Sequence, residues 1–520
     1  SATVGNPDEV LSWISGGKTL TGLVVQVPVP VTEKRFSFTM EPDPGRRMDA
    51  IARIVLGKKA IVFVGSRSEA EETMRALQGR LGHVAIHHSS LSHELRKEAE
   101  SVFLTGQSAC IISTSSLELG IDIGELDLVV QVGVPSTVSS FLQRMGRSGR
   151  RGRPPHVACI ASDRCELLCQ VAVISCARRR EVEDLVPPAD PVNVLVQQIF
   201  LSLVRTRRTS RFTLARELLS LSPFGHIPEK TLVRILDHLT AAGYLCTDGD
   251  MIMLGTEAEK VLGRANWRDL YSVIPGGGEM RAVTPDGEVV GRLDARFIGS
   301  RGGDAFSLGG RSWRVVKSDE SREQVVVVPG APSESRTFWT GSEIGLSPLI
   351  CREVRRILVA RSSGLPLSAD VRECIASVAD SLGEGIGEDN LPVFFRTGPE
   401  IKNPSVTVLT FQGKRFNRLL SALLLREMGG RRRITYHDFG VKITGMKSQD
   451  APLKVKEAID RIRTLSPGEA ANHLSLPPPS LWKFGPLLPD PVFREMVLLD
   501  YYAIGPFLAV LKPMRTDVPG

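Results

Sequence analysis

The 520-residue chain is 42% hydrophobic and 24% charged, carries 65 Lys and Arg against 58 Asp and Glu for a formal net charge of +7, and has 8 cysteines. That length predicts several domains, each with its own core; no apolar run approaches a membrane-spanning helix, no signal peptide is visible, and no membrane partner is expected. The cysteines lack any C-x-x-C pair, and Cys165 and Cys169 have no second ligand pair nearby, so neither disulfides nor a metal site is expected.

The chain opens on Ser1 rather than methionine and is expected to be a piece of a longer protein. Ser1-Ala2-Thr3-Val4-Gly5-Asn6-Pro7 leads into a short amphipathic helix, with Asn6 as cap and Pro7 at its first position. Ser15-Gly16-Gly17-Lys18-Thr19 ends like a phosphate-binding loop. That loop needs a glycine at position 12, on the end of a buried strand, but Ser12 stands there in a helical stretch. An ordinary surface turn is expected, and no D-E-x-H or D-E-x-D run supplies a magnesium carboxylate.

From Ala50 to about Asp163 buried strands alternate with amphipathic helices. Strands are expected at Ala60–Val64, Val84–Ile86, Ala109–Ile112, Leu126–Val132 and Val157–Ile160, with helices at Ser68–Leu81 and His93–Phe103. Continuous apolar strands between helices predict a parallel sheet covered on both faces. Ligands bind beyond the carboxyl ends of such strands. Ser66 and Arg67 follow the first strand, His88 the second, and Thr114-Ser115-Ser116-Leu117-Glu118-Leu119-Gly120-Ile121-Asp122 the third. Thr114 and Ser115 can donate to a backbone phosphate; the same loop also reads as a plain strand-to-helix cap. His88 reads equally as a satisfied surface histidine.

Gln143-Arg144-Met145-Gly146-Arg147-Ser148-Gly149-Arg150 is hard to explain as packing. Three arginines three apart share one side of a helix, and the glycines let backbone approach a ligand and end the helix. Guanidinium groups suit phosphate oxygens and can neutralise charge on a transferring phosphoryl group. A solvated basic helix end is the plainer reading of the arginines alone. Further clusters follow at Arg178–Arg180 and at Arg205, Arg207, Arg208 and Arg211, and together they favour a polyanionic partner over a small acidic substrate.

After a helix at Cys165–Arg180, three more are expected at Val192–Val204, Phe212–Leu221 and Pro228–Ala242. A hairpin at Leu245–Leu254 turns around Asp248-Gly249-Asp250, completing a winged-helix pattern. Short strands then run from Asp269 to Val328, as in a small barrel or sandwich. Trp313 and Trp339, each beside arginines, are candidates for stacking on bases. A strand tryptophan is more often core, so Trp313 is expected to pack, and Trp339, in a turn-rich stretch, to stack. Helices return from Ser347 to Leu465 around a strand-rich centre, Arg431–Arg433 reads as a solvated turn, and 466–520 as a packed tail.

Gln143 to Arg150 resembles motif VI of superfamily 2 helicases, and Ser1-Ala2-Thr3 their motif III. The wording S-A-T-V-G-N-P, the loop Thr114–Asp122 (motif V), Leu308–Val315 and Arg336–Gly341 resemble the large helicase-related (Lhr) group. The resemblance implies that Arg147 and Arg150 act as fingers on the γ-phosphate of ATP, assisted by Gln143. It also places Gly120 and Asp122 at the nucleotide ribose and Ser66, Arg67, His88, Thr114 and Ser115 on nucleic acid. The first RecA-like domain, with the lysine and the Mg2+ ligands, is expected to lie upstream, so this chain alone should not hydrolyse ATP.

The expected architecture is multidomain α/β. It comprises the end of the first RecA-like domain and a linker over 1–45 and the second RecA-like domain over 46–187. A winged helix at 188–265, a β-barrel-like domain at 266–345, an α+β helicase-associated domain at 346–465 and a tail at 466–520 complete it. The resemblance implies the C-terminal part of an ATP- and Mg2+-dependent helicase, a 3′-to-5′ translocase on single-stranded DNA or a DNA/RNA hybrid, intracellular and nucleoid-associated, acting in DNA repair. A non-enzymatic nucleic-acid-binding protein and an RNA-directed helicase of the same superfamily remain the alternatives.

Overall fold

The computed structural model describes residues 3–15, 22–25, 33–106, 108–118, 124, 126–149, 154–262, 270–274, 278–300, 305–319, 322–331, 345–398, 400–429 and 432–518. No described helix is long and apolar enough to cross a membrane. The fold is multidomain α/β, and the described residues build four sheets.

The first sheet contains β1 (Arg35–Met40), β2 (Lys59–Phe63), β3 (Val84–His87), β4 (Ala109–Ser113), β5 (Leu128–Val132) and β6 (His156–Ala161), in the order β1-β6-β5-β2-β4-β3. Every pairing is parallel. β2, β4 and β5 are almost wholly buried, as their unbroken apolar runs require. Polar caps start the helices that follow: Ser66, Ser92, Thr137 and Asp163 each accept a backbone N–H from the first turn of their helix. The sheet begins earlier than the expected limit at 46, because β1 lies along β6 in register from Arg35 opposite His156. Its sequence, R-F-S-F-T-M, alternates because it is an edge strand with one wetter face.

Both faces of this sheet extend into neighbouring units. On one, Ile61, Phe63, Ile111 and Val129 pack with the helix Arg164–Arg179 and with Ile350, Val354, Ile357 and Ile375 of the helices Pro348–Ala360 and Ala369–Leu382. On the other, Val62, Ile112 and Val130 pack through Met74 and Leu77 against a second sheet.

The winged helix consists of the helices Val192–Thr206, Arg211–Leu219 and Glu229–Ala241 with β7 (Arg208–Ser210), β8 (Leu245–Asp248) and β9 (Met251–Leu254), ordered β7-β9-β8. The sheet packed on the RecA-like domain holds β10 (Glu279–Val283), β11 (Val289–Asp294), β12 (Ala305–Leu308), β13 (Arg311–Asp319) and β14 (Gln324–Pro329), ordered β11-β10-β14-β13-β12. Among the described residues it is a mixed half-barrel rather than a closed barrel: β10 and β14 are parallel, the other pairs antiparallel.

The fourth sheet, β15 (Asn390–Arg396), β16 (Ser405–Leu409), β17 (Arg433–His437), β18 (Gly440–Thr444) and β19 (Arg515–Asp517), is ordered β17-β18-β16-β15-β19. The stretch expected as a tail therefore contributes an edge strand, parallel to β15. Its Val492, Phe493, Phe507 and Leu508 join a core shared by the fourth sheet and the winged helix.

Candidate nucleotide and nucleic-acid site

The helix Val138–Met145 lies at the end of the parallel sheet, carries Gln143 and Arg144, and leads through Gly146 to Arg147. Its start is fixed twice: Thr137 accepts the Ser140 N–H, and the Glu183 carboxylate accepts the N–H groups of Val138 (2.8 Å) and Ser139 (3.1 Å). A carboxylate there also complements the positive end of the helix.

The three arginines, alike in sequence, separate here. Arg144 is buried over the Phe63 ring, 5.0 Å from its centroid. It donates Nε (2.8 Å) and Nη2 (2.6 Å) to Glu118 Oε1, and Nη1 to Gln131 Oε1 at 2.9 Å. Arg147, one turn on and half-buried, donates Nη2 to the Glu118 backbone oxygen at 2.5 Å. Ser140 Oγ donates to the Glu118 carboxylate at 2.8 Å. Glu118 thus ties the loop after β4 to the helix, so that loop and Arg147 share one frame. Gly146 ends the helix, and Gly149, at φ 81, takes a left-handed conformation with the Pro155 ring where a side chain would stand.

The segment around Thr3 docks on the same helix. Gln143 Nε2 donates to Thr3 Oγ1 and Ser139 Oγ to the Thr3 carbonyl, each at 3.1 Å. At the carboxyl ends of the neighbouring strands, Ser66 and Ser115 are exposed and Thr114 is half-buried. The Ser66 hydroxyl accepts the Glu69 N–H at 3.1 Å. Arg67 donates Nη1 to Ser90 Oγ (2.6 Å) and to Glu279 Oε1 of the half-barrel (2.8 Å). Gly120, Asp122, Arg150 and Trp339, with Gly16–Thr19 of the loop-like turn and Arg336–Gly341, lie outside the described residues.

Of the candidates for nucleic-acid contact, His88 is corrected, and Trp313 is the core residue it was expected to be, which removes it as a stacking candidate. His88 is fully buried, with Nε2 3.0 Å from Glu71 Oε1, so it cannot reach a nucleic-acid backbone. Trp313 is buried in the half-barrel core and donates Nε1 to the Leu308 carbonyl at 3.0 Å; its ring is packed rather than open to a base. Sequence reasoning missed Glu118, Glu183 and His87. His87 sits between Ser116 Oγ (2.7 Å) and Glu100 Oε1 (3.2 Å); burial depresses its pKa against the opposing pull of Glu100. No local signal marks Glu183, but Glu118 lies within the run Thr114–Asp122 that already drew attention. Among the described residues no group of three His, Cys, Asp or Glu side chains could hold a metal ion.

Residues 46–152 match the helicase conserved C-terminal domain, and residues 175–337 match the winged helix domain of large helicase-related proteins. The second match runs through both the hairpin module and the half-barrel. A Lhr helicase and probable uracil glycosylase of Mycolicibacterium smegmatis is 26% identical over 514 residues, covering 86% of this chain and 32% of that protein. A Lhr helicase/uracil glycosylase of Escherichia coli is 31% identical over 276 residues, 50% of this chain and 18% of that protein. The chain thus spans a third or less of these curated relatives. The fold is that of the Mycobacterium smegmatis helicase Lhr, solved with single-stranded DNA and AMP-PNP: TM-score 0.68 at 20% identity, over 100% of this chain and 73% of that one.

Proposed function

We propose that the chain, whose residues 46–152 match the helicase conserved C-terminal domain and whose residues 175–337 match the winged helix domain of large helicase-related proteins, is the part of an ATP-dependent helicase that supplies the arginine fingers and half of the strand-binding surface. The substrate in this reading is single-stranded DNA, tracked 3′ to 5′. The observation that carries it is Glu118: one residue ties the loop after β4 to the finger helix through its carboxylate and to Arg147 through its carbonyl. A shift of that loop on the strand is therefore a shift of the finger.

Within this reading the roles divide. Arg144 is a positioning residue, held by Glu118 and Gln131. Arg147, with Arg150 beyond it, faces the γ-phosphate and stabilises charge there. Gln143, bound to Thr3, links the finger helix to the segment that precedes it. Ser66, Thr114 and Ser115 face the strand. ATP, when bound, supplies the transferable phosphoryl group. Its lysine and Mg2+ ligands belong, in this reading, to a first RecA-like domain preceding residue 1, and no Mg2+ ligand is assigned to this chain.

The test uses the protein with that preceding domain. Arg147→Ala should lower ATP turnover by about 10³–10⁵-fold, as loss of a finger does, while nucleotide binding and melting change little. Arg144→Ala should instead lower both stability and turnover. Wild-type turnover in Arg147→Ala would overturn the assignment.

A further inference from the structure

The half-barrel sheet has two unlike faces. Met280, Ala282, Leu293, Trp313, Val325 and Val327 point into the core shared with the RecA-like sheet. Arg281, Arg292, Arg314 and Lys317 are exposed on the other side. Strand register places Arg281 directly opposite Arg292, and sets Lys317 opposite Val326 and Arg314 opposite Val328. Like charges facing each other across a strand pair destabilise a sheet. Among the described residues Arg281, Arg314 and Lys317 form no salt bridge. Among the described strand residues three carboxylates share this face by register: Glu279, taken by Arg67 (2.8 Å) and Arg292 (3.8 Å), Asp294 directly opposite it and buried, and Asp319, 3.9 Å from Arg322. Cations therefore exceed carboxylates there, and valines separate their rows.

This face is fixed to the edge of the RecA-like sheet. Arg292 donates its N–H to the Ser90 carbonyl (2.7 Å), and Ser92 donates to the Val290 carbonyl (3.1 Å). Leu91 and Gly291 form an antiparallel bridge between them. A Cβ on Gly291 would overlap the Ser90 carbonyl oxygen, so glycine permits the close approach. Ser90 to Ser92 thus acts as an added edge strand on β11. Arg67 then crosses from the capped helix start to Glu279, joining the exposed Ser66 to the row Arg292–Arg281.

We propose that this outer face binds the phosphate backbone of a single strand of nucleic acid, continuing the path past Ser66 and Arg67. The cations suit phosphates, and the absence of aromatic rings among the exposed side chains named here implies backbone contact without base stacking. The inference rests on the helicase reading only for the source of the strand.

The test is binding of labelled oligo-dT and oligo-U of graded length across a salt series, by wild type and by Arg281→Gln/Arg314→Gln. Neither side chain has a salt-bridge partner among the described residues, and Arg281 faces Arg292, so melting should not fall. Loss of two phosphate contacts should flatten the salt slope by about 1.4 for single strands. Between about 50 and 200 mM salt the affinity gap should then narrow about sevenfold. The effect should be equal for the two oligonucleotides, absent for the shortest ones, and reversed in Arg281→Lys/Arg314→Lys. Identical slopes in wild type and variant at every length would overturn the inference and leave the helicase reading standing, as would capture of an acidic peptide in preference to the oligonucleotides. An effect confined to oligo-U would overturn the phosphate contact. A wild type that binds no oligonucleotide would overturn both.

Discussion

Glu71 and Glu353 each join a neighbouring unit to the RecA-like domain, on opposite faces of the same parallel sheet. Glu71, on the helix Arg67–Gln78, is buried with His88 and accepts the N–H groups of Gly309 (2.6 Å) and Gly310 (2.9 Å). Those glycines form the β12–β13 turn, both with positive φ, so two consecutive N–H groups converge on one carboxylate. Glu353, buried on the helix Pro348–Ala360, is instead held by two forked guanidinium groups. Arg179 donates to it at 3.0 and 2.7 Å and Arg356 at 2.8 and 2.7 Å. Both arginines are partly in water. One joint is dry and made to backbone; the other is ionic and open at its rim. Salt and pH should therefore act on the second and spare the first.

The sharpest way to break the comparison is Glu71→Ala. It removes the carboxylate that a buried imidazole and two part-buried N–H groups share, which should cost about 3–5 kcal/mol. Amide exchange should rise across 279–329 while 348–382 keeps its protection. Unchanged exchange in the half-barrel would mean that Trp313 and its neighbours hold the joint without the carboxylate.

A smaller effect is expected at Glu353. Burial works to raise its carboxyl, but hydrogen bonds from Arg356, Arg179 and Ser175 outweigh it and hold the pKa at about 2. A depressed carboxyl adds stability above the unfolded value near 4.5, and that contribution is lost as pH falls from there toward 2. Glu353→Gln should cost about 1–2 kcal/mol at neutral pH, since solvent rehydrates the freed arginines. Its deficit against wild type should shrink between pH 5 and 2 (chemical denaturation at each pH) and also in about 1 M salt. A deficit independent of pH would assign the loss to packing.

How far this was legible depends on where the deciding contacts lie. Ala60–Val64 reads as a buried strand because five apolar residues in a row fit little else. Arg35–Met40 escaped because an edge strand alternates, and its partner lies beyond residue 155. β10 and β12 are short and flanked by turn residues, and β19 needed β15 to reveal it. The motif run pointed to the right helix, but equal spacing treats Arg144 and Arg147 alike. Glu118 and Gln131, brought in by other elements, bury one and leave the other half-exposed. Glu71 sits in Glu69-Ala70-Glu71-Glu72, which reads as a solvated face until a turn 238 residues away closes over it.

The smallest effect on stability, and the one that separates joint from strand contact, is expected at Arg67. Its side chain and that of Glu279 are 32% and 27% exposed, so their ion pair should contribute less than about 1 kcal/mol. Arg67→Gln should therefore melt within a few degrees of wild type. If Arg67 meets a phosphate, however, it must leave Glu279 to do so, and Glu279 competes with the strand. Glu279→Gln should then tighten single-strand binding, by removing both a rival for the guanidinium and a negative charge from the cationic face. Arg67→Gln should weaken binding and flatten its salt slope by about 0.7. In the double variant the gain from Glu279→Gln should largely vanish, because no guanidinium remains to be released. Were Arg67 only a joint residue, Glu279→Gln would not tighten binding beyond its charge effect, and that gain would persist in the double variant. Affinities of the four proteins at two salt concentrations, with melting curves alongside, decide between these outcomes.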